Sequence, residues 1–260
     1  MKAEQKETLY QILKKSSGAL LGYTAKEFSV DPQFADDIER PVAPPQAQAA
    51  PSYAKNPDPV QGQPFVIESA GATIDSVNKK IISCARCGLS KTRRNVVPGE
   101  GVENPLVLVV GEGPGADEDE QGRPFVGKAG QLLDKMLSAI NLSRQKNCYI
   151  ANIVKCRPPM NRDPSPEESQ ACRSFLDAQI HVLKPKMILA MGRVALQNLL
   201  DTSIGINKMR GQFVDFKGIP FMATYHPSAL LRDESLKRPA WEDLKAFKQK
   251  LLEICPDYDK

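Results

Sequence analysis

The sequence predicts an α/β fold in which helices cover both faces of a mostly parallel β-sheet. Short, continuous apolar runs that are typical of buried strands alternate with longer segments whose apolar residues recur at helical spacing. The chain has 260 residues, of which 41% are hydrophobic, so it is long enough to form one sizeable domain with a real core.

The predicted elements begin at about residue 75, where IDSVNKKIISCARC indicates a helix that runs into a pair of cysteines. The apolar run LVLVVGE predicts a buried strand over residues 106–112. A glycine-rich loop follows, and then a helix over about residues 127–140. A second apolar run, CYIANIV, predicts a strand over residues 148–154.

The next helix has a start signal, because Ser165 can cap its first turn and Glu168 stands three residues further on. A third strand is predicted over residues 187–192, followed by the short helix RVALQNLL. The segment QFVDFKGIPFMATYHP predicts a hairpin that turns at Lys217 and the glycine after it. A final helix is predicted over about residues 239–253.

Three distinctive segments stand at or near the ends of predicted strands. They are GEGPG after the first strand, Asn152 in the second, and HPS, which contains His226, after the hairpin. In sheets of this kind, ligands bind beyond the carboxyl ends of the strands. The three segments therefore predict one shared site.

The chain before this domain has a different composition. Residues 1–28 predict an amphipathic helix, and residues 29–74 predict a flexible linker rich in proline, glutamine and alanine. The predicted domain spans residues 75–255. The helix could bind a repair or replication protein, or it could be a loosely docked extension with no separate role.

Charge and hydropathy exclude some classes of protein. The net charge of +4 is compatible with nucleic-acid binding but does not require it. No apolar stretch is long enough to span a membrane, so no membrane partner is expected. The N-terminus lacks the apolar core of a secretion signal, so we expect a cytoplasmic protein.

Four of the six cysteines predict a metal centre. Cys84 and Cys87 form a CxxC pair among charged residues, Cys156 follows the second strand, and Cys172 lies in the next helix. Four thiolates suit either a [4Fe–4S] cluster or tetrahedral zinc, and spacing alone does not distinguish the two. Unligated thiols are the alternative. The two remaining cysteines are expected to be bystanders, namely Cys148 in an apolar strand and Cys255 at the end of the last helix.

The segment GEGPGADEDEQGRPFVGKAG, residues 111–130, is the most informative stretch. Its glycines allow the backbone to approach a flat ligand closely. It lacks the GK[ST] ending of a P-loop and the GxGxxG pattern of a dinucleotide turn. Phe125 stands among polar residues and glycines, so it could stack on a ligand or anchor the loop to the core.

These motifs together resemble the family 4 uracil-DNA glycosylases. The resemblance covers about residues 80–252 and includes GEGPG, EDEQGRPFVGKAGQLL, NIVKCRPP and HPSALLR in the same order. It implies a three-layer α/β/α sandwich with a central, mostly parallel four-stranded sheet. It also implies a [4Fe–4S] cluster on the four cysteines, uracil-containing DNA as the substrate and an abasic site as the product. We expect the protein to be a monomer.

The resemblance assigns roles to the predicted pocket. It places the backbone of Glu112 and Gly113 against uracil and the ring of Phe125 under the base. Asn152 matches the asparagine that reads uracil, and its amide offers the donor and the acceptor that complement O4 and N3–H. His226 matches the histidine that faces O2, where negative charge develops when uracil leaves.

The remaining candidates concern water and DNA. Glu118 matches an acid of the family pattern and could either position water or exclude the methyl group of thymine. Leu230 and Leu231 are candidate wedges that fill the gap left by the flipped base. Ser228 and Arg232 are candidate phosphate contacts.

Two other functions fit the same residues. One is a non-catalytic iron–sulfur or zinc protein that binds DNA on this fold. The other is an interaction protein whose proline-rich arm recruits a replication protein. The chain has only two histidines, and the segment before the hairpin lacks an added histidine-bearing loop, so ordinary turnover without a covalent DNA adduct is expected.

Overall fold

The computed structural model describes residues 72–258. The predicted N-terminal helix lies outside the described residues, as does the predicted linker except for its last three positions. The first helix, α1, spans Ile74–Ile82 and begins one residue before the predicted domain boundary. Thr73 caps it, because its hydroxyl accepts a hydrogen bond from the backbone of Ser76.

Six strands form one sheet in the order β1-β3-β2-β4-β6-β5. The four central strands β3, β2, β4 and β6 are parallel, and the short edge strands β1 and β5 are antiparallel to their neighbours. The predicted four-stranded parallel sheet is therefore confirmed, with two edge strands added. The strands are β1 (Glu100–Gly101), β2 (Val107–Gly111), β3 (Cys148–Asn152), β4 (Met187–Met191), β5 (Phe213–Phe216) and β6 (Ile219–Thr224).

Seven further helices follow α1 in the described part of the chain. They are α2 (Ala116–Gln121), α3 (Lys128–Ser138), α4 (Pro166–Leu183), α5 (Arg193–Leu200), α6 (Ile206–Met209), α7 (Pro227–Arg232) and α8 (Lys237–Ile254), with 3₁₀ turns at Gly88–Lys91, Pro159–Asn161 and Glu234–Leu236. None of the helices in residues 72–258 is long and apolar enough to cross a membrane.

The helices form two layers because each central strand is apolar on both of its faces. On β2, Leu108 and Val110 point into a core shared with α1, α4 and α5. The alternate residues Val107 and Val109 pack against α3 and α8 on the opposite face. This is the predicted three-layer sandwich, and it explains why the central strands read as continuous apolar runs.

Two local predictions are confirmed. Ser165 caps α4, since its hydroxyl accepts from the backbone N–H of Glu168, whose carboxylate in turn accepts from the backbone of Ser165. The hairpin turns at Lys217 and Gly218, both with positive φ, which matches the twist of antiparallel strands. One segment differs from expectation, because part of the predicted glycine-rich loop folds as α2.

Candidate active site

A cavity of about 680 Å³ opens where the four parallel strands end. Its walls include residues that directly follow β2, β4 and β6, together with the last residue of β3. The predicted convergence of GEGPG, Asn152 and His226 on one site is therefore what the structure shows. Glu112, Gly113, Glu118, Phe125 and Ser228 also line this cavity.

Asn152 and Phe125, which both line the cavity, lie against Gly111, the last residue of β2. A methyl group at this position would lie 2.4 Å from Asn152 Oδ1 and 2.5 Å from Phe125 Cζ. Gly111 and Asn152 are register partners in the parallel β2–β3 pair, so the sheet itself sets their separation. Only glycine allows the amide and the ring to meet there, which leaves room for a flat ligand above them.

Asn152 carries an unusual polar group. The side chain is buried, and its Oδ1 accepts no hydrogen bond from any described residue. Leaving a buried acceptor unpaired costs about 1–3 kcal/mol, so proteins rarely retain one without a reason. A ligand that donates a hydrogen bond at this point would remove that cost.

Phe125 is held at the cavity by unusual backbone geometry. Its φ of 53° is left-handed, which is unfavourable for an aromatic residue. Buried Arg144 donates hydrogen bonds to the carbonyls of Pro124 (2.8 Å) and Phe125 (2.9 Å). Gly130 of α3 lies directly against the Phe125 carbonyl, where a methyl group would approach to 2.0 Å. The Phe125 ring lines the cavity 5.5 Å from the ring of His226.

His226 is a neutral hydrogen-bond donor in this environment. Burial, helped by the nearby Arg232 charge, lowers the pKa of His226 to about 4. The backbone N–H of Ser228 donates to its Nδ1 at 3.2 Å, and Ser228 Oγ lies 2.8 Å from the same nitrogen. Because Nδ1 accepts from the backbone, we assign the ring proton to Nε2. Among the described residues, Nε2 has no hydrogen-bond partner, and it remains available to a ligand in the cavity.

Glu118 is surrounded by backbone donors. Its Oε2 accepts from Gly115 N at 3.0 Å, and its Oε1 accepts from Val126 N at 2.8 Å and Gly127 N at 2.9 Å. The carboxylate thus joins the start of α2 to the loop that carries Phe125. These three bonds favour a positioning role for Glu118 over a role in handling water.

The side chain of Glu112 adds a feature that the sequence did not indicate. Burial, together with the nearby charge of Asp163, raises the pKa of Glu112 to about 7, against the opposing charges of Arg193 and Arg232. Glu112 forms no side-chain hydrogen bond among the described residues. Its carboxyl group therefore titrates near neutral pH at the wall of the cavity.

The HPSALLR segment separates the two leucines that were predicted as wedges. Leu230 is only 3% exposed, because it packs inward from α7, so it cannot enter DNA in this conformation. Leu231 is 49% exposed. The prediction is corrected to Leu231 alone. Ser228 and Arg232 both line the cavity beside it.

The four predicted metal-binding cysteines share a second, smaller cavity. Cys84, Cys87, Cys156 and Cys172 line it together, and burial is the main cause that raises the pKa of the last two thiols. As they stand, the side chains of residues 72–258 include no group of three or more His, Cys, Asp or Glu that could hold a metal ion. The structure therefore brings the four thiols to one cavity, but their side chains are not arranged as a metal site.

The two cavities are joined by a buried cation. Lys155 is 1% exposed, and its Nζ donates to the carbonyl of Asn152 (2.9 Å) and to Gln179 Oε1 (2.7 Å). Its neighbour in sequence is Cys156, and burial lowers the pKa of Lys155 to about 8.

Of the two remaining cysteines, Cys148 is buried in β3 and its pKa is raised to about 12, as expected of an inert thiol.

Comparison with known proteins gives a consistent result. Residues 98–245 match the model of the uracil DNA glycosylase superfamily. The chain is 41% identical over 191 residues to the type-4 uracil-DNA glycosylase of Archaeoglobus fulgidus, covering 70% of this chain and 94% of that protein. It is 44% identical over 179 residues to the Thermotoga maritima type-4 enzyme, covering 67% and 93%. Identity falls to 31% over 189 residues, 60% of this chain and 82% of the relative, for a type-5 enzyme from Pyrobaculum aerophilum.

The fold and the site define a protein of this superfamily, whose pocket lies at the strand ends of an α/β sandwich. The chain belongs to the uracil DNA glycosylase superfamily and, within it, to the type-4 enzymes.

Sequence reasoning missed several residues that shape this site. Arg144 carried no signal, because an arginine in a polar segment is normally exposed. Gly111 and Gly130 were visible only as part of a glycine-rich run. Lys155 lies within the motif NIVKCRPP, but its burial could not be predicted from the residues around it.

Proposed function

We propose that this protein is a uracil-DNA glycosylase that binds uracil flipped out of DNA and hydrolyses its bond to the sugar. The product is an abasic site, which makes the reaction the first step of base excision repair. The observation that carries the proposal is the buried, unpartnered Oδ1 of Asn152 beside the Phe125 ring. Uracil supplies the N3–H donor that this acceptor lacks.

Asn152 accounts for the choice of base. Its Oδ1 accepts from N3–H while its amide group donates to O4, and Phe125 supports the plane of the base. Cytosine presents an acceptor at N3 and a donor at C4, so both contacts would become repulsive. A site that is built around hydrogen bonds rejects such an analogue by several orders of magnitude.

His226 accounts for stabilisation of the leaving group. As the bond between C1′ and N1 breaks, the sugar gains positive charge and uracil gains negative charge at O2. A neutral histidine with its proton on Nε2 can donate to O2 and strengthen that bond in the transition state. Because the pKa of His226 is already low, this donor is available throughout the neutral range.

Glu112 is the best-supported carboxylate for handling water. Glu118 has both oxygens occupied by backbone donors, whereas the Glu112 carboxyl group has no hydrogen bond and a pKa of about 7. Ionised Glu112 can hold the water whose oxygen bonds to C1′ and accept its proton. Uracil, which leaves as an anion, takes up a proton from solvent.

The rim of the cavity supplies the DNA contacts. Leu231 is exposed beside the entrance and can occupy the space that the flipped nucleotide leaves. Arg232 and Ser228 line the same side, where a phosphate of the flipped nucleotide would lie.

The four cysteines fit a [4Fe–4S] cluster. Such a cluster requires four thiolates, and the four thiols around the second cavity supply that donor set. The side chains of Arg93, which donates to Cys156 Sγ at 3.0 Å, and of Lys155 provide positive charge for thiolates at this point. We assign the cluster a structural role, in which it ties the segment after α1 to α4 and to the end of β3. Iron and sulfide analysis with absorbance near about 400 nm tests this proposal, and a colourless zinc protein purified without air would contradict it.

Cleavage of a uracil-containing oligonucleotide tests the function directly. The purified protein, with its metal centre intact, is incubated with labelled DNA, and abasic sites are then cut with alkali. We expect cleavage at uracil and none at cytosine or thymine. If the protein binds this DNA without cleaving it, the non-catalytic DNA-binding alternative replaces the proposal.

A further inference from the structure

The loop that follows β3 displays an exposed apolar side chain at its tip. Met160 is 93% exposed, the largest value among the exposed large apolar side chains of residues 72–258. Burial stabilises a methionine side chain, and this residue gains almost none of that stabilisation within the chain. A single exposed apolar side chain is common in proteins, but the backbone conformation at Met160 is unusual.

The backbone at the tip is left-handed at two consecutive residues that are not glycine. Met160 has φ 56° and ψ 20°, and Asn161 has φ 54°. Asparagine tolerates this conformation, whereas for methionine it is unfavourable. Glycine would adopt it without that cost. Met160 is therefore unfavourable at this position both because its apolar side chain is exposed and because its backbone conformation is left-handed.

The surrounding contacts fix the tip in this conformation. Asn161 N donates to the carbonyl of Pro158 at 3.1 Å, and Arg157 Nε donates to Asn161 Oδ1 at 2.8 Å. Arg162 forms two hydrogen bonds with the Glu168 carboxylate, at 2.7 and 2.8 Å. Met160 is therefore presented to solvent from an ordered base.

The tip lies on the rim of the uracil cavity. Pro158 and Asn161, on either side of it, both line that cavity, which is also bordered by Arg232 beside exposed Leu231. Arg157 has no acidic partner among the described residues. An exposed apolar side chain with an arginine nearby thus occurs at two places on one rim.

The chemistry of the tip favours DNA as its partner. A protein partner is normally bound through an apolar patch of several hundred square ångströms, whereas Met160 is a single large apolar side chain between Pro159 and Asn161. A base step offers one narrow apolar surface between two phosphates, and methionine is among the side chains that wedge into such steps. DNA that delivers uracil to the cavity must pass over this rim.

We propose that Met160 is a second wedge, which packs against the bases beside the extruded uracil while Arg157 contacts a neighbouring phosphate. This inference rests on the proposed function. The wedge stabilises the opened duplex, so it contributes most when uracil must be flipped from a base pair. In single-stranded DNA there is no pair to open, and the contribution is smaller.

The variant Met160→Gly separates this role from a structural one. Glycine favours the observed φ, so the loop keeps its conformation, the midpoint of thermal unfolding is unchanged or higher, and only the wedge is lost. We expect kcat/KM for uracil in duplex DNA to fall about tenfold, with less than a twofold fall for single-stranded DNA. Met160→Leu should restore duplex cleavage. Ile82→Ala, which alters an exposed apolar residue outside the cavity wall, is the matched control.

Binding provides a readout that does not depend on cleavage. Affinity for a duplex with a stable abasic-site analogue is measured by fluorescence anisotropy, and Met160→Gly should weaken it about tenfold while Ile82→Ala leaves it unchanged. Equal affinity, or an unchanged ratio of duplex to single-strand cleavage, would overturn the wedge. Failure of the wild-type protein to cleave uracil in either DNA would instead overturn the proposed function, and the binding comparison would still decide the role of Met160.

Discussion

The variant Asn152→Ala is expected to lower activity severely without an equivalent loss of stability. In the free protein, Asn152 Oδ1 is buried and unpartnered, which costs about 1–3 kcal/mol. Truncation removes that cost but leaves a small void, which costs about 1 kcal/mol. The free energy of unfolding should therefore stay within about 1 kcal/mol of wild type, or rise by up to about 2 kcal/mol.

The same change removes both of the contacts that we propose to distinguish uracil from cytosine. With about 3–5 kcal/mol of transition-state stabilisation lost, kcat/KM should fall roughly 10²–10⁴-fold. Asn198→Ala is the matched control, since Asn198 is a partly buried asparagine of α5 whose amide bonds only to the carbonyl of Val194. Because Asn198 does not line the cavity, the activity of Asn198→Ala should stay near that of wild type.

Two measurements check this prediction. Single-turnover cleavage of a uracil-containing oligonucleotide gives the activity, and urea unfolding gives the stability. If Asn152→Ala retains activity within tenfold of wild type, Asn152 does not read the base. If it loses more than about 3 kcal/mol of stability, Asn152 is a structural residue and the loss of activity has another cause.

The charged groups of the site give four further predictions. For wild type, kcat/KM should rise as pH increases through about 7, because Glu112 acts when ionised; Glu112→Gln should lower activity and flatten this limb of the pH–rate profile. Because folding raises the pKa of Glu112, its contribution to the free energy of unfolding is fully present below about pH 4.5 and is lost as pH rises through about 7. The free energy of unfolding of Glu112→Gln, measured by urea denaturation across this pH range, should lack this decline. Glu118→Gln cannot accept the same three backbone hydrogen bonds and should lose about 2–4 kcal/mol of stability and most activity at every pH, whereas a thermally stable but inactive variant would point to a chemical role. Arg144→Met leaves the Phe125 carbonyl unpaired and should cost about 2–4 kcal/mol together with a raised KM, so a variant with normal KM would show that Arg144 does not position the ring.

The sheet was predictable because its signals are local. Each central strand is a run of apolar residues, and every residue of β2, β3 and β4 is buried. The edge strand β1 was missed, since two residues carry no periodicity. The helix α2 was missed because its acidic sequence has no apolar face, and Glu118 stabilises it through the Gly115 backbone instead.

The site was only partly predictable. Asn152 and His226 could be placed together because parallel strands bring their carboxyl ends to one edge. The wedge prediction could not separate Leu230 from Leu231, since adjacent residues of a short helix differ only in which of them faces the core. Arg144 acts through backbone carbonyls, which leave no trace in the sequence.

The residues that build this pocket have features that are unfavourable for folding. Asn152 has an unpaired acceptor, and Phe125 has a left-handed backbone, each unfavourable by about 1–3 kcal/mol. Both are tolerated because Arg144 and Glu118 fix the Phe125 loop and the parallel strand pair fixes the asparagine. In the proposed complex, uracil supplies the missing donor and covers the ring, so that binding recovers what folding left unfavourable. The pocket is thus ready for the base before DNA arrives, and little of the binding free energy is spent on ordering it.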